Sequence, residues 1–361
     1  MERGGEGTSA RAREHQRPGC SRPVQYWPRN RPEQHPQRRM SHFNISIENT
    51  LRDTVSLGRL ARFARKMSTS FITLPDCRRL SYIYSNPTTS PHIVLLSNSL
   101  CAPLPSWDKV ASRLESDGFG VLRYDQPGHG ASDAPADIST TTFASLAKDV
   151  RHLLEALRIH RLHAWIGVSM GAATGVYFAT ASPGVVEKLV ICDIVTCSAA
   201  VAGVQDVFAP RVEAAQRAGN MDAIVEQTLE RWFSRAWRDA NVEEVARMRR
   251  IMGETEVKGF AACCNALQSP AFDLRPLMAQ LGKCVQDALF MVGELDASLP
   301  QSMEELRSRA QGGFEGVASD VRVRMQVIKG AGHVCYVDNL EAFCNATIDF
   351  LSRNNKIKSK A

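Results

Sequence analysis

The chain has no uncharged apolar run of about 18 residues, which excludes a transmembrane helix. No apolar stretch follows Met1 closely, which argues against secretion. Its ten cysteines form neither a C-x-x-C pair nor metal-finger spacing. Scattered through 361 residues, they read as reduced residues of an intracellular protein, with no metal and no cofactor implied. No internal repeat appears, and compositional bias is confined to the N-terminus. A basic nucleic-acid-binding domain is also missing. The formal charge is +6, but residues 1–67 hold thirteen arginines and one lysine against six acidic residues, a net of +8, so the remainder sums to −2. A basic excess at one end is not the footprint of a nucleic-acid interface.

What remains is an ordinary globular composition, 44% hydrophobic and 23% charged. The length allows two domains of roughly 150 residues or one large α/β domain with an insertion. Residues 1–47 are rich in Arg, Pro, Gln, Gly and Ser without an apolar period, and are expected to be disordered. Leu57, Leu60, Ala61 and Ala64 then fall at helical spacing among arginines, which fits a short basic amphipathic helix. Two readings stand for this extension of 1–67. In one it is a plain tail, or translation starts at Met40 or Met67, and the protein is cytoplasmic; in the other the helix is a mitochondrial presequence.

From Thr69 onward, short apolar strands alternate with helices: Phe71–Leu74, Leu80–Tyr84, His92–Leu96, Val121–Tyr124, His163–Val168 and Lys188–Cys192, with helices near 107–115, 143–157 and 170–181. This alternation predicts βαβ units and a mostly parallel central sheet with helices on both faces. Between about Thr196 and Gly282 the apolar spacing turns helical, as in Val225, Leu229, Trp232 and Phe233. Strand-like runs return at Ala288–Val292 and Val321–Ile328, and a helix near 340–351 closes the chain. The expected organisation is an α/β core of 68–195 and 283–355, with a helical cap of 196–282 inserted in it.

The most informative residues are Gly167-Val168-Ser169-Met170-Gly171, which follow an apolar strand and open a helix of small residues. That is the setting of a G-x-S-x-G nucleophile elbow. A serine on so sharp a turn adopts a strained backbone, and glycines two positions either side let strand and helix approach closely. The turn aims the hydroxyl at a helix N-terminus, where free N–H groups and positive dipole gather. A serine needs a base, and His333, in Gly330-Ala331-Gly332-His333 after the last strand, is the candidate. His129, in a Pro-Gly-His-Gly turn, suits a structural role. A carboxylate must orient the imidazole. Asp296, after the penultimate strand, gives the chain order Ser169, Asp296, His333 expected of the elbow motif. Glu294 comes too early in that turn, and Asp193 is the fallback. For the oxyanion, the Met170 N–H is one expected donor and the Leu100 N–H, with Ser99 as alternative, the other.

With these residues placed, the chain resembles the α/β-hydrolase superfamily from about Met67 to Leu351, and within it the 3-oxoadipate enol-lactonase-like group. The closer resemblance rests on Leu96-Ser97-Asn98-Ser99-Leu100 with Trp107-Asp108, the Gly167–Gly171 elbow, Glu230-Arg231-Trp232-Phe233, and Gly259–Leu267 followed by Asp273-Leu274-Arg275. It implies the α/β-hydrolase fold, a metal-independent Ser-His-Asp hydrolase of a small lactone or ester, and Trp232 near the pocket. Two departures bear on the substrate: Cys101 stands where the group usually carries glycine, and Asp125-Gln126-Pro127 replaces a Thr-Arg or Tyr-Arg pair. The natural substrate therefore need not be an oxoadipate enol-lactone. Arg231 is a candidate for binding a substrate carboxylate bidentately, against a bland role as a salt-bridged surface residue.

The expected function is a serine hydrolase of a lactone or small carboxylic ester, acting on a small molecule and engaging no nucleic acid. A carbon–carbon bond hydrolase or thioesterase would use the same triad, since the pocket decides between them. A haloalkane dehalogenase or epoxide hydrolase would need aspartate at position 169. A ligand-binding receptor on the same fold is the non-enzymatic alternative.

Overall fold

Apolar runs bounded by turn residues pair into one eight-stranded sheet in the computed structural model, which describes residues 69–86, 89–315, 317 and 322–353. All of these lie in a single unit spanning 66–361. The expectations for 1–67, including the amphipathic helix and the presequence, fall outside the described residues. The strands are β1 (Ser70–Thr73), β2 (Arg79–Ser85), β3 (Ile93–Ser97), β4 (Gly120–Tyr124), β5 (Leu162–Val168), β6 (Val186–Cys192), β7 (Asp287–Gly293) and β8 (Arg324–Ile328). Their order is β1-β2-β4-β3-β5-β6-β7-β8. The β1–β2 and β2–β4 pairs are antiparallel and all others parallel. The α/β-hydrolase architecture expected from the sequence is the one observed.

The central strands are buried along almost their whole length, as a parallel sheet covered on both faces requires. Among helices of eight residues or more, α1 (Asp108–Ser116), α2 (Phe143–Ala156) and α3 (Met170–Ala181) lie between the strands β3 to β6 in sequence. Thr142 and Ser145 form a reciprocal capping box that starts α2. Helix α3 is built almost wholly of small and apolar residues and is buried along most of its length, which lets it pack flush on the sheet. Between β6 and β7 run α4 (Ala209–Ala218), α5 (Asp222–Trp232), α6 (Val242–Met252) and α7 (Val257–Gln268), with shorter turns of helix between them. Then come α8 (Leu299–Glu315) and α9 (Leu340–Ser352). Helix α8 is absent from the sequence reading, although Leu299, Met303, Leu306, Ala310 and Phe314 bury one face at helical spacing. No helix among the described residues is long and apolar enough to cross a membrane.

The connection from β3 leads to β4 on one side of it, and the next strand, β5, lies on its other side. At such a switch point the loops diverge and leave a crevice outside the carboxyl ends of the strands. Register sets those ends level, with Ser97 beside Gly167, Val168 beside Cys192, and Gly293 beside Ile328.

The turn after β4 is organised by Asp125, a buried carboxylate. It accepts hydrogen bonds from the Ser81 hydroxyl (2.6 Å), the Leu104 N–H (2.6 Å) and the Ala131 N–H (3.3 Å). Burial nevertheless pushes its pKa up to about 6 against these donors. Replacing it by alanine strands the donors in the interior. Asp125→Ala is therefore expected to cost about 3 kcal/mol in a urea unfolding experiment at pH 7.

Candidate active site

Ser169 stands between β5 and α3 with φ +54° and ψ −117°, the strained turn anticipated for an elbow. Its N–H is tied to the Cys192 carbonyl (2.8 Å), and its own carbonyl accepts from Ala172 (2.9 Å) and Ala173 (3.1 Å). The backbone is thus held at both ends. The side chain, by contrast, makes no capping bond to α3 and is only partly buried, so the hydroxyl is available. Glycine at 171 is obligatory for this approach, because a Cβ there would run into the Ser97 carbonyl of β3.

His333 and Asp296 are in contact. Nδ1 of His333 lies 2.7 Å from Oδ2 of Asp296, both side chains being almost wholly buried. Since the carboxylate only accepts, Nδ1 carries the proton and Nε2 presents a lone pair. That Nε2 is buried and has no hydrogen-bond partner, so no bond joins it to Ser169. Catalytic contacts are often long before a ligand binds. Burial, and then the Arg231 charge, lower the pKa of His333 against the opposing pull of Asp296.

The loop carrying His333 is anchored to α5. The Trp232 carbonyl accepts the His333 N–H (3.1 Å), and the Trp232 ring lies 5.7 Å from the imidazole, inclined by 28°. A side chain at Gly332 would strike that same carbonyl. Trp232 is fully buried, and its indole N–H, like the Ser99 hydroxyl, has no partner. Among the described residues, no turn or loop backbone bond is made by the N–H groups of Met170, Leu100 and Ser99. Unpaired donors are what an oxyanion or a polar ligand would satisfy.

His129 takes the structural place foreseen for it, in a form no motif signalled. Its Nε2 accepts the Cys101 N–H (3.0 Å), which leaves Nδ1 to donate to the Pro127 carbonyl (3.0 Å). The ring thereby holds the loop that follows β3, where Cys101 itself has φ +66°. Two other carboxylates sit beneath the triad-like group. Asp193 accepts from the Gly293 N–H (2.8 Å) and the Cys335 thiol (3.2 Å), so it braces the β7 loop rather than reaching His333. Asp338, missed in the sequence, accepts the Gly332 N–H (2.6 Å). Glu294 accepts the Gly330 N–H (2.9 Å).

Arg231 projects from α5 with Nη1 at 4.0 Å from Oδ1 of Asp296. Half its side-chain surface is open to solvent, yet protein crowds it enough for burial to lower its pKa against the pull of Asp296, as for a side chain lining a cleft. Arg211, on α4, is a second cation whose charge acts on Arg231. It bonds the Thr228 hydroxyl (2.6 Å) and lies over the Phe260 ring at 5.8 Å. Nothing local marks Arg211, because its partner lies 17 positions away. No cluster of metal-ligating side chains occurs among the described residues.

The chain matches the family described as alpha/beta hydrolase fold over residues 92–340, and it belongs to that family of enzymes. Within the family it is enol-lactonase-like. It is 30% identical over 210 residues to 3-oxoadipate enol-lactonase 1 of Acinetobacter baylyi, covering 58% of this chain and 74% of that protein. With 3-oxoadipate enol-lactonase 2 of the same organism it shares 26% over 264 residues, covering 73% and 89%. Among solved structures, the enol-lactonase from Burkholderia xenovorans superposes with a TM-score of 0.67 at 27% identity, covering 79% of this chain and all of that one.

The dependence of the Ser169 turn on close packing is testable. Gly171→Ala is expected to cost about 2–3 kcal/mol, seen as a lowered Tm. Gly312→Ala, on the exposed face of α8 where a Cβ meets nothing, should instead gain about 0.5–1 kcal/mol.

Proposed function

We propose that this protein is a serine hydrolase of a small carboxylic ester or lactone, with Ser169 as nucleophile, His333 as base and Asp296 as the group that orients it. One observation carries the reading: Asp296 fixes the proton on Nδ1 of His333, so the buried Nε2 is left as an unshared base at the same rim of the sheet as the strained Ser169. The names of the enol-lactonase relatives support a lactone or small ester over the carbon–carbon and thioester alternatives.

The chemistry follows the geometry. Nε2 takes the Ser169 proton as Oγ bonds to the acyl carbon, and the carbonyl electron pair moves onto oxygen. The N–H groups of Met170 and of Leu100 or Ser99 receive that oxyanion. Collapse of the adduct breaks the acyl–oxygen bond, and His333 returns the proton to the departing oxygen, which in a lactone stays tethered to the acyl chain. Water, deprotonated by His333, then releases the acid. We assign the helices between β6 and β7 as the cap of this pocket, with Trp232 in its wall and Arg231 and Arg211 facing an acidic arm of the substrate, since the Arg211 charge acts on Arg231 and the ion pair Arg231 makes with Asp296 is as long as 4.0 Å. Nine free cysteines among the described residues support a reducing, cytoplasmic compartment.

Ser169→Ala is expected to abolish both turnover of p-nitrophenyl acetate and labelling by a fluorophosphonate; retention of both would overturn the assignment. Asp296→Asn should lower kcat by about 10³–10⁴ while leaving the fold intact. For a neutral ester, kcat/KM should fall with acid only below the ordinary histidine pKa of 6.5, because burial and then Arg231 disfavour the imidazolium. A limb at or above that value would count against His333 as the base.

A further inference from the structure

Asp296 has two oxygens and two suitors. Oδ2 receives the His333 Nδ1–H at 2.7 Å, while Oδ1 faces the Arg231 guanidinium at 4.0 Å. We propose that Arg231 is a substrate-operated brake on the catalytic base: in the free enzyme it shares Asp296 with His333, and a carboxylate on the bound substrate draws it off.

The argument rests on the hydrolytic reading above and on charge placement. Acylation turns His333 into an imidazolium, and the carboxylate of Asp296 is what stabilises that cation. A guanidinium on the far oxygen of the same carboxylate opposes it, because like charges at close range disfavour one another. The ion pair is also weakly held. Its length is at the limit for a salt bridge, and half the arginine side chain is exposed to water, where such pairs contribute little. A ligand carboxylate offering two parallel bonds to the guanidinium competes well against one oxygen at 4.0 Å. Arg211 strengthens the exchange, since its charge repels Arg231 and is itself relieved by an anion.

Among the described residues, no other charge near the imidazole does this. The charged groups acting on His333 and Asp296 are Arg231 from α5, Asp193 from the end of β6 and Asp338 from the turn that carries His333, with the Cys335 thiol set against Asp193 and Asp338. Burial drives Asp193 strongly toward its neutral form and Asp338 up to about 7, and burial raises the Cys335 thiol well above its usual range. None of these three is exposed to an incoming ligand as Arg231 is.

The test compares two substrates on the full chain, p-nitrophenyl butyrate and the mono-p-nitrophenyl ester of glutaric acid, which carries a free carboxylate. The pH profile of kcat reports the base in the complex, and that of kcat/KM the base in the free enzyme. With the neutral ester the two acid limbs should coincide. With the acidic ester the limb of kcat should lie above that of kcat/KM by about half a unit to one unit. Arg231→Gln should raise the kcat/KM limb by a similar amount for both esters and erase the difference, while Arg231→Lys should keep the limb low. Coincident limbs for the acidic ester in the wild-type enzyme, refusal of that ester, or an unmoved limb in a folded Arg231→Gln protein would each overturn the brake. The wild-type comparison decides even where a variant does not fold. Turnover persisting in Ser169→Ala, run alongside, would overturn the hydrolytic reading itself; its loss together with coincident limbs removes the brake alone.

Discussion

Everything at this site depends on how closely β5 and α3 approach β3. The Ser97 carbonyl occupies the space that any side chain at position 171 would need, and Ser169 is the residue caught between strand and helix. With its N–H bonded to β6 and its carbonyl to the first turn of α3, it has no relaxed conformation to escape to. The positive φ of Ser169 is therefore a product of the sheet's own packing. Strain of this kind, of the order of 1–3 kcal/mol, persists only where the surroundings overdetermine it. Here they are the buried central strands of the sheet.

Around that fixed point the site is assembled from separate loops, each tied down by one or two hydrogen bonds. The His333 loop hangs from the Trp232 carbonyl and from Asp338, the Asp296 loop from Asp193, and the loop after β3 from His129. The helical segment thus does more than stand beside the sheet: it supplies a backbone acceptor to the residue proposed as the base. Substitutions in α5 that shift Trp232 would move His333 without touching the triad-like residues.

The sheet and the strained turn at Ser169 were legible because their signals are local. An apolar strand, a G-x-S-x-G turn and a helix of small residues are contiguous, and their physical requirements coincide. Asp296 and His333 could be placed by chain order, since each follows a strand whose carboxyl end must reach the same rim. Helix α8 was missed although its apolar period is clear in retrospect, because Gly312 and Gly313 near its end weaken the pattern. Arg211 and Asp338 were beyond reach. The significance of each comes from a partner brought near by folding, and nothing in the adjoining residues of either announces it. His129 was recognised as structural, but its two acceptor and donor partners, Cys101 and Pro127, are set by the turn's geometry.

The His129 clamp has a consequence for the enzyme's tolerance of acid. The ring can hold the Cys101 N–H only while Nε2 is unprotonated, and burial lowers its pKa to about 4. An unfolded chain would take up that proton near the ordinary histidine value of 6.5. As pH falls from there toward 4, unfolding therefore absorbs a proton that the folded molecule refuses, and stability declines through that interval. Below it, protonation leaves two donors facing each other in the interior, and the loop that follows β3 loses its tether. The acid limit of the molecule is thus written partly into a histidine that takes no part in the proposed chemistry.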